Sequence, residues 1–340
     1  MANIILRPGW QARERDVTPE HVYRNRRAFI KAMGLGTVGL AARGAAAAPR
    51  ETSRATAAGP LDTIPASAPR EGYPAERNAA FDVPERRQTD RLLASSYNNF
   101  YEFDGSSKEI WPLTDPYEPF PMTIEVRGLV ENRQTIDVAE LIRSMDLEER
   151  LYRFRCVEAW AMTVPWTGFP LSRLIDRCRP LSRATHVRFV SVNRPRQMEG
   201  IDKQPWYPWP YFEALRMDEA MNDLAFVVTG MYGEPLPKQN GAPLRLALPW
   251  KYGYKGPKAV VRIEFTDNRP GTFWNDLQPD EYGFLSNVNP NIPHPRWSQA
   301  TEELLNTGSR VETQLFNGYG EWVADLYPDE PTEPRGPMAR

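Results

Sequence analysis

The chain has 340 residues, of which 41% are hydrophobic and 25% charged, so it is long enough for one large or two ordinary globular domains. Its formal net charge is −2, but residues 1–50 hold nine Lys/Arg and three Asp/Glu, which leaves 33 basic against 41 acidic residues in the remainder. That remainder, at −8, lacks the clustered positive charge that nucleic acid requires, so nucleic acid is excluded as a partner. The 33 prolines favour irregular connections and sheets over a helical bundle.

The basic N-terminal segment has the layout of an export signal. In "RNRRAFIKAMGLGTVGLAARGAAAAPR" the pair Arg26 and Arg27 precedes an apolar run, Ala32–Ala42, and a small-residue stretch, Ala45–Ala48. The run is shorter than the roughly 20 residues that a membrane-spanning helix needs. Residues 1–48 are therefore predicted to be a twin-arginine signal peptide, read by the twin-arginine export machinery and removed in the periplasm. That route carries folded proteins, which favours a cofactor acquired in the cytoplasm.

The rest of the chain predicts an arm followed by one sheet-rich domain. Residues 49–89 are rich in Ala, Pro, Arg and Glu and show little periodicity, which predicts an extended N-terminal arm before a domain at residues 90–340. Alternating or β-rich segments predict strands, in chain order, at residues 122–130, 152–160, 185–192, 224–233, 243–250 and 258–267.

Only two helices are clearly predicted, one from a capping residue and one from an apolar face. One follows a cap at Asp137, and the other places Leu171, Leu174, Ile175 and Cys178 on one apolar face. Few helices separate the strands, and no glycine-rich phosphate loop is present in the sequence. This order predicts an α+β fold with mixed β-sheets rather than a doubly wound nucleotide-binding fold.

The two cysteines have different interpretations. Cys178 lies on an apolar helix face, which is typical of a thiol packed in a core. Cys156 follows Arg153 and Arg155, whose charges are expected to lower its pKa and favour a thiolate, a soft metal ligand. One thiolate alone is a weak metal site, so the other ligands would come from a cofactor. A buried, inert Cys156 and a disulfide between the two cysteines are the alternatives that spacing leaves open.

Other catalytic arrangements lack parts. The three histidines are His21, His186 and His294, of which one lies in the predicted signal and one in a predicted strand. A zinc site or a Ser-His-Asp triad is therefore disfavoured. A Cys-His nucleophile pair stays open, because residues distant in sequence can be neighbours in the fold.

Four motifs occur in an order that identifies a family. They are "YNNFYEF" (97–103), "YRFRCVEAWAMTVPWTGFPL" (152–171), "QNGAPLRLALPWKYGYKGPK" (239–258) and "NVNPNIPHPRWSQATE" (287–302). Together they resemble the catalytic subunits of periplasmic protein-methionine-sulfoxide reductases, which are molybdopterin enzymes of the sulfite-oxidase superfamily. The resemblance covers the chain from about Tyr73 onward and implies a sulfite-oxidase-like molybdopterin-binding fold.

The resemblance also implies a cofactor and the residues that hold it. The cofactor is molybdenum-molybdopterin, with Cys156 as the protein ligand of the metal and the catalytic residue. Amide, phenol, hydroxyl and carboxylate groups suit the pterin, and a guanidinium, an ammonium and a close-approaching backbone suit its phosphate. The implied cofactor-binding residues are Asn98, Tyr101, Glu102, Ser191, Asn240, Arg245, Gly256, Pro257 and Lys258. Ser191 stands where related enzymes often have threonine and keeps the hydroxyl.

The implied activity is the reduction of methionine sulfoxide in oxidised exported proteins back to methionine, with electrons from a haem-containing membrane subunit. The alternative enzyme is a sulfite-type oxidase with the same cofactor, whose relatives usually continue "RCxGN" where this chain has "RCVEAW". A hypothesis of another class is an exported binding or assembly protein without chemistry, which would contain no molybdenum.

Overall fold

A computed structural model of the chain describes residues 59–333. The predicted signal peptide, with Arg26 and Arg27, and the first part of the predicted arm lie outside the described residues. Twelve strands are present in the described part: β1 Thr123–Gly128, β2 Gln134–Asp137, β3 Glu148–Arg155, β4 Trp160–Pro170, β5 His186–Ser191, β6 Phe212–Arg216, β7 Phe226–Met231, β8 Glu234–Pro235, β9 Arg245–Ala247, β10 Val260–Thr266, β11 Thr301–Leu304 and β12 Ser309–Glu312.

The helices of the described part are short. They are α1 Arg91–Ser96, α2 Val138–Ser144, α3 Leu171–Cys178, α4 Glu199–Lys203, α5 Met217–Ala220, α6 Phe273–Leu277 and α7 Gly320–Val323. Single 3-10 turns lie at Pro60–Thr63, Ala79–Phe81, Trp111–Leu113, Lys238–Asn240, Gly253–Lys255, Leu315–Gly318 and Ala324–Leu326. Within residues 59–333 none of the helices has the length and hydropathy to cross a membrane.

The strands form two mixed sheets. The first has the order β2-β1-β10-β5-β6, with β1 and β10 parallel and the other pairs antiparallel. The second has the order β12-β11-β4-β7-β8, with β3 paired to β4 and β9 paired to β7. Its β11–β4 pair is parallel. The predicted α+β class with mixed sheets is confirmed.

Local sequence signals explain the two predicted helices. The Asp137 side chain accepts a hydrogen bond from the Glu140 backbone N–H at 2.9 Å, which satisfies one of the free donors at the start of α2. In α3 the four apolar residues spaced at i, i+3, i+4 and i+7 are all buried, and they include Cys178. Both helices therefore form where capping and periodicity predict them.

The described part of the predicted arm lies against the second sheet. The Asn78 N–H donates to the Glu149 carbonyl of β3 at 2.8 Å, and the Thr89 N–H donates to the Thr163 carbonyl of β4 at 2.8 Å. Phe81 and Thr89 are buried. These contacts brace β3 and β4, the two strands that carry the Cys156 hairpin.

Candidate cofactor site

A cavity of about 370 Å³ brings most of the predicted site residues together. Its walls come mainly from the segment after α1, the β3–β4 hairpin, the segment between β9 and β10, and residues 274–297. Seven of the ten predicted residues line it: Asn98, Tyr101, Glu102, Cys156, Asn240, Arg245 and Lys258. Ser191, Gly256 and Pro257 are outside the lining. Residues separated by up to about 160 positions in sequence thus share one cavity, as the resemblance implied.

Cys156 lies in the turn between β3 and β4. Its backbone N–H donates to the Trp160 carbonyl at 3.0 Å, and the Ala159 N–H donates to the Cys156 carbonyl at 3.1 Å. Ala159 has a positive φ of 66°, which lets the chain reverse within this short turn. The turn therefore holds the Cys156 sulfur at a fixed place on the cavity wall.

The expectation of a lowered Cys156 pKa is wrong, although the charge of Arg155 does act in that direction. Arg155 donates from Nε to Glu302 at 2.9 Å and from a terminal nitrogen to the Cys156 carbonyl, and Arg153 donates to the Asn317 carbonyl at 2.9 Å. Burial, followed by the negative charge of Glu158, raises the pKa of the Cys156 thiol to about 12. A bound metal cation is the charge that deprotonates a thiol in such a place, so this environment fits a ligand whose countercharge arrives with a cofactor.

A polar cluster beside Cys156 was missed by the sequence analysis. Asn99 Nδ2 lies 3.6 Å from the Cys156 sulfur and donates to Glu158 Oε2 at 3.0 Å. Lys108 Nζ and Trp160 Nε1 donate to the same carboxylate oxygen. Burial opposes ionisation of Glu158, but the hydrogen bonds from Lys108, Asn99 and Trp160 hold its pKa below the usual value. Asn99 and Glu158 belong to the quoted motifs, which is the only sequence signal that points to them.

Two buried basic side chains, Arg245 and Lys258, also line the cavity. Arg245 and Lys258 have no carboxylate of the described residues within ion-pair distance. Burial lowers the pKa of Arg245 to about 10. Burial, and then the charge of Arg245, lower the pKa of Lys258, and burial raises the pKa of the Glu102 carboxyl; the attraction between Lys258 and Glu102 opposes both shifts. Buried charges are normally paired, so this arrangement fits an anionic group such as a phosphate.

Two of the predicted cofactor residues have a buried polar atom without a partner in the described part of the chain. Asn240 Nδ2 donates to Asn98 Oδ1 at 3.1 Å and to the Ala94 carbonyl at 3.0 Å, but its own Oδ1 has no hydrogen-bond partner within residues 59–333. The Ser191 hydroxyl is 1% exposed and equally without a partner among the described residues. Orphaned buried groups are rare in proteins, so the Oδ1 of Asn240, which lines the cavity, fits a polar cofactor that completes its hydrogen bonds.

The segment from Gly256 to Lys258 runs beside β9. The Leu246 N–H donates to the Pro257 carbonyl at 3.0 Å, which ties this segment to the strand that carries Arg245. A Cβ added to Gly256 would lie 2.5 Å from the Leu246 carbonyl oxygen. Only glycine permits this approach, and it keeps the guanidinium of Arg245 and the backbone turn together. Gly256 and Pro257 thus shape the site from outside the cavity.

Cys178 takes the structural role expected of it, and the aromatic residues near the site divide between the cavity wall and the core. Trp160, Trp166 and Tyr254 line the cavity, whereas Trp250 is fully buried and donates to the Tyr327 hydroxyl at 2.9 Å. Cys178 is buried in α3, and both cysteines are free, so no disulfide joins them. The described residues contain no group of three or more His, Cys, Asp or Glu side chains placed to hold a metal ion. A metal here would take one protein sulfur and its other ligands from a cofactor.

Comparison with known proteins gives the class and then the family. Residues 113–274 match the family described as "Oxidoreductase molybdopterin binding domain". The chain is therefore a molybdopterin-binding oxidoreductase, and the donors around the cavity fit molybdopterin. Three curated relatives carry the name "Protein-methionine-sulfoxide reductase catalytic subunit MsrP". They come from Burkholderia mallei (43% identity, 92% of each chain), Gluconobacter oxydans (44%, 92% of this chain and 93% of the relative) and Ralstonia nicotianae (42%, 92% of each).

The chain belongs to the family of protein-methionine-sulfoxide reductase catalytic subunits. Among solved structures, the sulfane dehydrogenase SoxCD from Paracoccus pantotrophus aligns with 54% of this chain and 47% of its own, at 15% identity and a TM-score of 0.40.

Proposed function

We propose that this protein reduces methionine sulfoxide in oxidised exported proteins to methionine, using a molybdenum-molybdopterin cofactor. The observation that carries the proposal is the 42–44% identity to reductase catalytic subunits over 92% of the chain. The cavity supports it, because it joins one buried thiol to two buried basic side chains, Arg245 and Lys258, that form no ion pair within the described residues.

Different residues of the site would hold different parts of the cofactor. Arg245 and Lys258 would hold its phosphate, and the partnerless Oδ1 of Asn240 would bind its polar ring system. Cys156 would be the protein ligand of molybdenum. When bound, the cofactor supplies the two-electron redox chemistry at sulfur. Asn99, which donates toward the Cys156 sulfur, fixes the position of that ligand.

The reaction balances as a two-electron reduction. The sulfur–oxygen bond of the sulfoxide breaks, the sulfur gains two electrons and becomes a thioether, and the oxygen leaves as water after taking up two protons. The electrons come from outside the chain. Because the relatives are named catalytic subunits, we infer a partner subunit, and we propose that it is a haem-containing membrane protein.

The charges near Cys156 favour a neutral substrate over an anion. Lys108 is bonded to Glu158, and Arg296 at the cavity wall donates to Glu281 at 2.8 Å. The Glu158 carboxylate itself lies 3.7 Å from the Cys156 sulfur. A sulfite dianion would need several uncommitted cations at this place, whereas a sulfoxide is neutral and needs open access.

We also propose that the protein works in the periplasm after export by the twin-arginine route. The support is the sequence of residues 1–48, with its paired arginines, short apolar run and small-residue cleavage region. Methionines of exported proteins are exposed to oxidants, so a reductase that restores them would act as a repair enzyme there.

Turnover of purified protein tests the activity. With a reduced dye as the electron source, methionine sulfoxide should be reduced both as the free amino acid and within an oxidised polypeptide. Sulfite with an electron acceptor should give little reaction. Efficient sulfite oxidation without sulfoxide reduction would overturn the proposal and leave the cofactor site intact.

Molybdenum and pterin content test the cofactor separately. Protein purified from the periplasm should contain both in amounts equal to the chain. If folded protein with an unaltered site contained neither molybdenum nor pterin, the result would instead support the hypothesis of a binding or assembly protein.

A further inference from the structure

An aromatic surface leads from solvent to the cavity that contains Cys156. We call Trp206, Tyr207, Tyr101 and Trp274 the aromatic ledge. The rings of Trp206 and Tyr207 are 6.0 Å apart, and Tyr207 lies 6.0 Å from Tyr101 and 5.9 Å from Trp274. Tyr101 and Trp274 line the cavity itself. The ledge is thus continuous from the protein surface to the site.

The outer end of the ledge is unusually apolar and exposed. Trp206 is 66% exposed, the highest value for a large hydrophobic side chain among the described residues. Exposed tryptophan is costly in water and is enriched in the parts of interfaces that contribute most to binding. The exposure of Trp206 at the end of a surface that reaches the cavity therefore indicates a binding site for a ligand that covers it.

The ledge is rigid enough to bind without a large ordering cost. Pro205 and Pro208 flank the Trp206–Tyr207 pair and restrict the backbone. Gln204 Nε2 donates to the Tyr101 carbonyl at 2.9 Å, and Trp209 Nε1 donates to the Gln204 carbonyl at 2.9 Å. The loop is thereby fastened to the "YNNFYEF" motif of the cofactor site, and preorganisation of this kind favours binding.

We propose that the aromatic ledge binds the polypeptide that flanks a substrate methionine sulfoxide, with Trp206 as its outer contact. The proposal rests on the proposed function. A sulfoxide inside a polypeptide can reach the cavity only if its neighbouring residues lie on the rim. The ledge is the apolar part of the rim that the structure offers, so the occupant is an unfolded, apolar segment of an oxidised protein.

The geometry also gives the spacing of the contact. Two ring-to-ring steps of 6.0 Å place Trp206 no more than about 12 Å from Tyr101 at the cavity. An extended chain advances about 3.3 Å per residue. An apolar residue within about four positions of the methionine sulfoxide should therefore reach Trp206.

The test uses the full-length, cofactor-loaded protein and a short unstructured peptide with a central methionine sulfoxide and leucines four residues to either side. Trp206→Ala should raise both the KM and the dissociation constant for this peptide about tenfold, as expected for loss of a tryptophan contact. The kcat should be unchanged, and so should kcat/KM for free methionine sulfoxide. Trp206→Phe should recover part of the loss. Fluorescence anisotropy of the labelled peptide measures binding independently of turnover.

Two controls sharpen the result. Trp322→Ala removes another partly exposed tryptophan, which packs on Phe81 and is outside the cavity lining, and it should have no effect. Replacing the peptide leucines by glycine should weaken binding to the wild type. With that peptide, Trp206→Ala should cause almost no further loss of binding.

Three results would overturn the proposal: unchanged peptide binding in Trp206→Ala, an equal loss for peptide and free amino acid, or a loss seen only with the natural electron donor. The last result would assign the ledge to the partner subunit. If the wild type reduces neither substrate, the proposed function fails instead. The anisotropy measurement still tests whether the aromatic ledge binds the peptide.

Discussion

Arg245→Met should make the cofactor-free chain more stable and the cofactor less tightly held. The Arg245 guanidinium is 4% exposed, and burial lowers its pKa from 12.5 to about 10. At 1.36 kcal/mol per pKa unit, this corresponds to a cost on the order of 3 kcal/mol. Because the pKa is lower in the folded than in the unfolded chain, the cost is fully present below pH 10 and disappears as the pH rises toward 12.5.

Methionine removes that cost and keeps an apolar side chain of similar length. The hydrogen bonds lost are long, at 3.3 Å to the Asn240 carbonyl and 3.4 Å to the Leu246 carbonyl. We therefore expect the free energy of unfolding of the cofactor-free protein to increase by about 1 to 3 kcal/mol at neutral pH. In the loaded protein a charge-assisted hydrogen bond of about 1.5 to 3 kcal/mol is lost, which weakens cofactor retention by roughly 10- to 100-fold.

Denaturant unfolding of protein made without pterin synthesis measures the first effect, and fluorescence of the pterin released from purified protein measures the second. Arg150→Met is the matched control. Arg150 is equally buried, but it donates to Glu148 at 2.6 Å and to the Tyr152 hydroxyl at 2.9 Å. Its replacement should destabilise the chain by about 2 to 3 kcal/mol. A destabilised Arg245→Met protein with full pterin content would refute the assignment of Arg245 to the cofactor.

Further predictions concern the cysteines and export. Cys156→Ser should abolish activity and release the metal, because a neutral hydroxyl is a poor replacement for a soft thiolate, while Cys178→Ser should cost only packing, of about 1 kcal/mol. Metal analysis and activity distinguish these outcomes, and labelling of denatured, unreduced protein should find two free thiols rather than none. Changing Arg26 and Arg27 to Lys should leave loaded enzyme in the cytoplasm, because the charge survives without the paired guanidinium groups. An unchanged periplasmic yield would contradict the signal interpretation.

Local sequence signals were sufficient for much of the fold. The strand pattern of 185–192 became β5, and the apolar face ending at Cys178 became α3. Strand β4 extends to Pro170 through Pro165 and Gly168, which are poor strand residues. It forms because β3 and β7 pair with its two edges, and no local pattern reports that support.

The site was less accessible to sequence reasoning than the fold. The family motifs pointed to Cys156, but its electrostatic environment depends on residues far away in the chain. Arg155 is paired with Glu302, and Glu158 with Lys108, over separations of 147 and 50 residues. Adjacency in sequence therefore gave the wrong direction for the Cys156 pKa, because burial and then the charge of Glu158 outweigh the charge of Arg155.

A single-turnover experiment tests the central claim most directly. Cofactor-loaded protein is reduced with a dye, freed of excess reductant and mixed with a peptide that contains methionine sulfoxide. The thioether formed is then compared with the molybdenum content. The cavity that unites Cys156 with the cofactor residues should yield one thioether for each bound cofactor, without any partner subunit. No thioether from fully loaded, fully reduced protein would contradict the account.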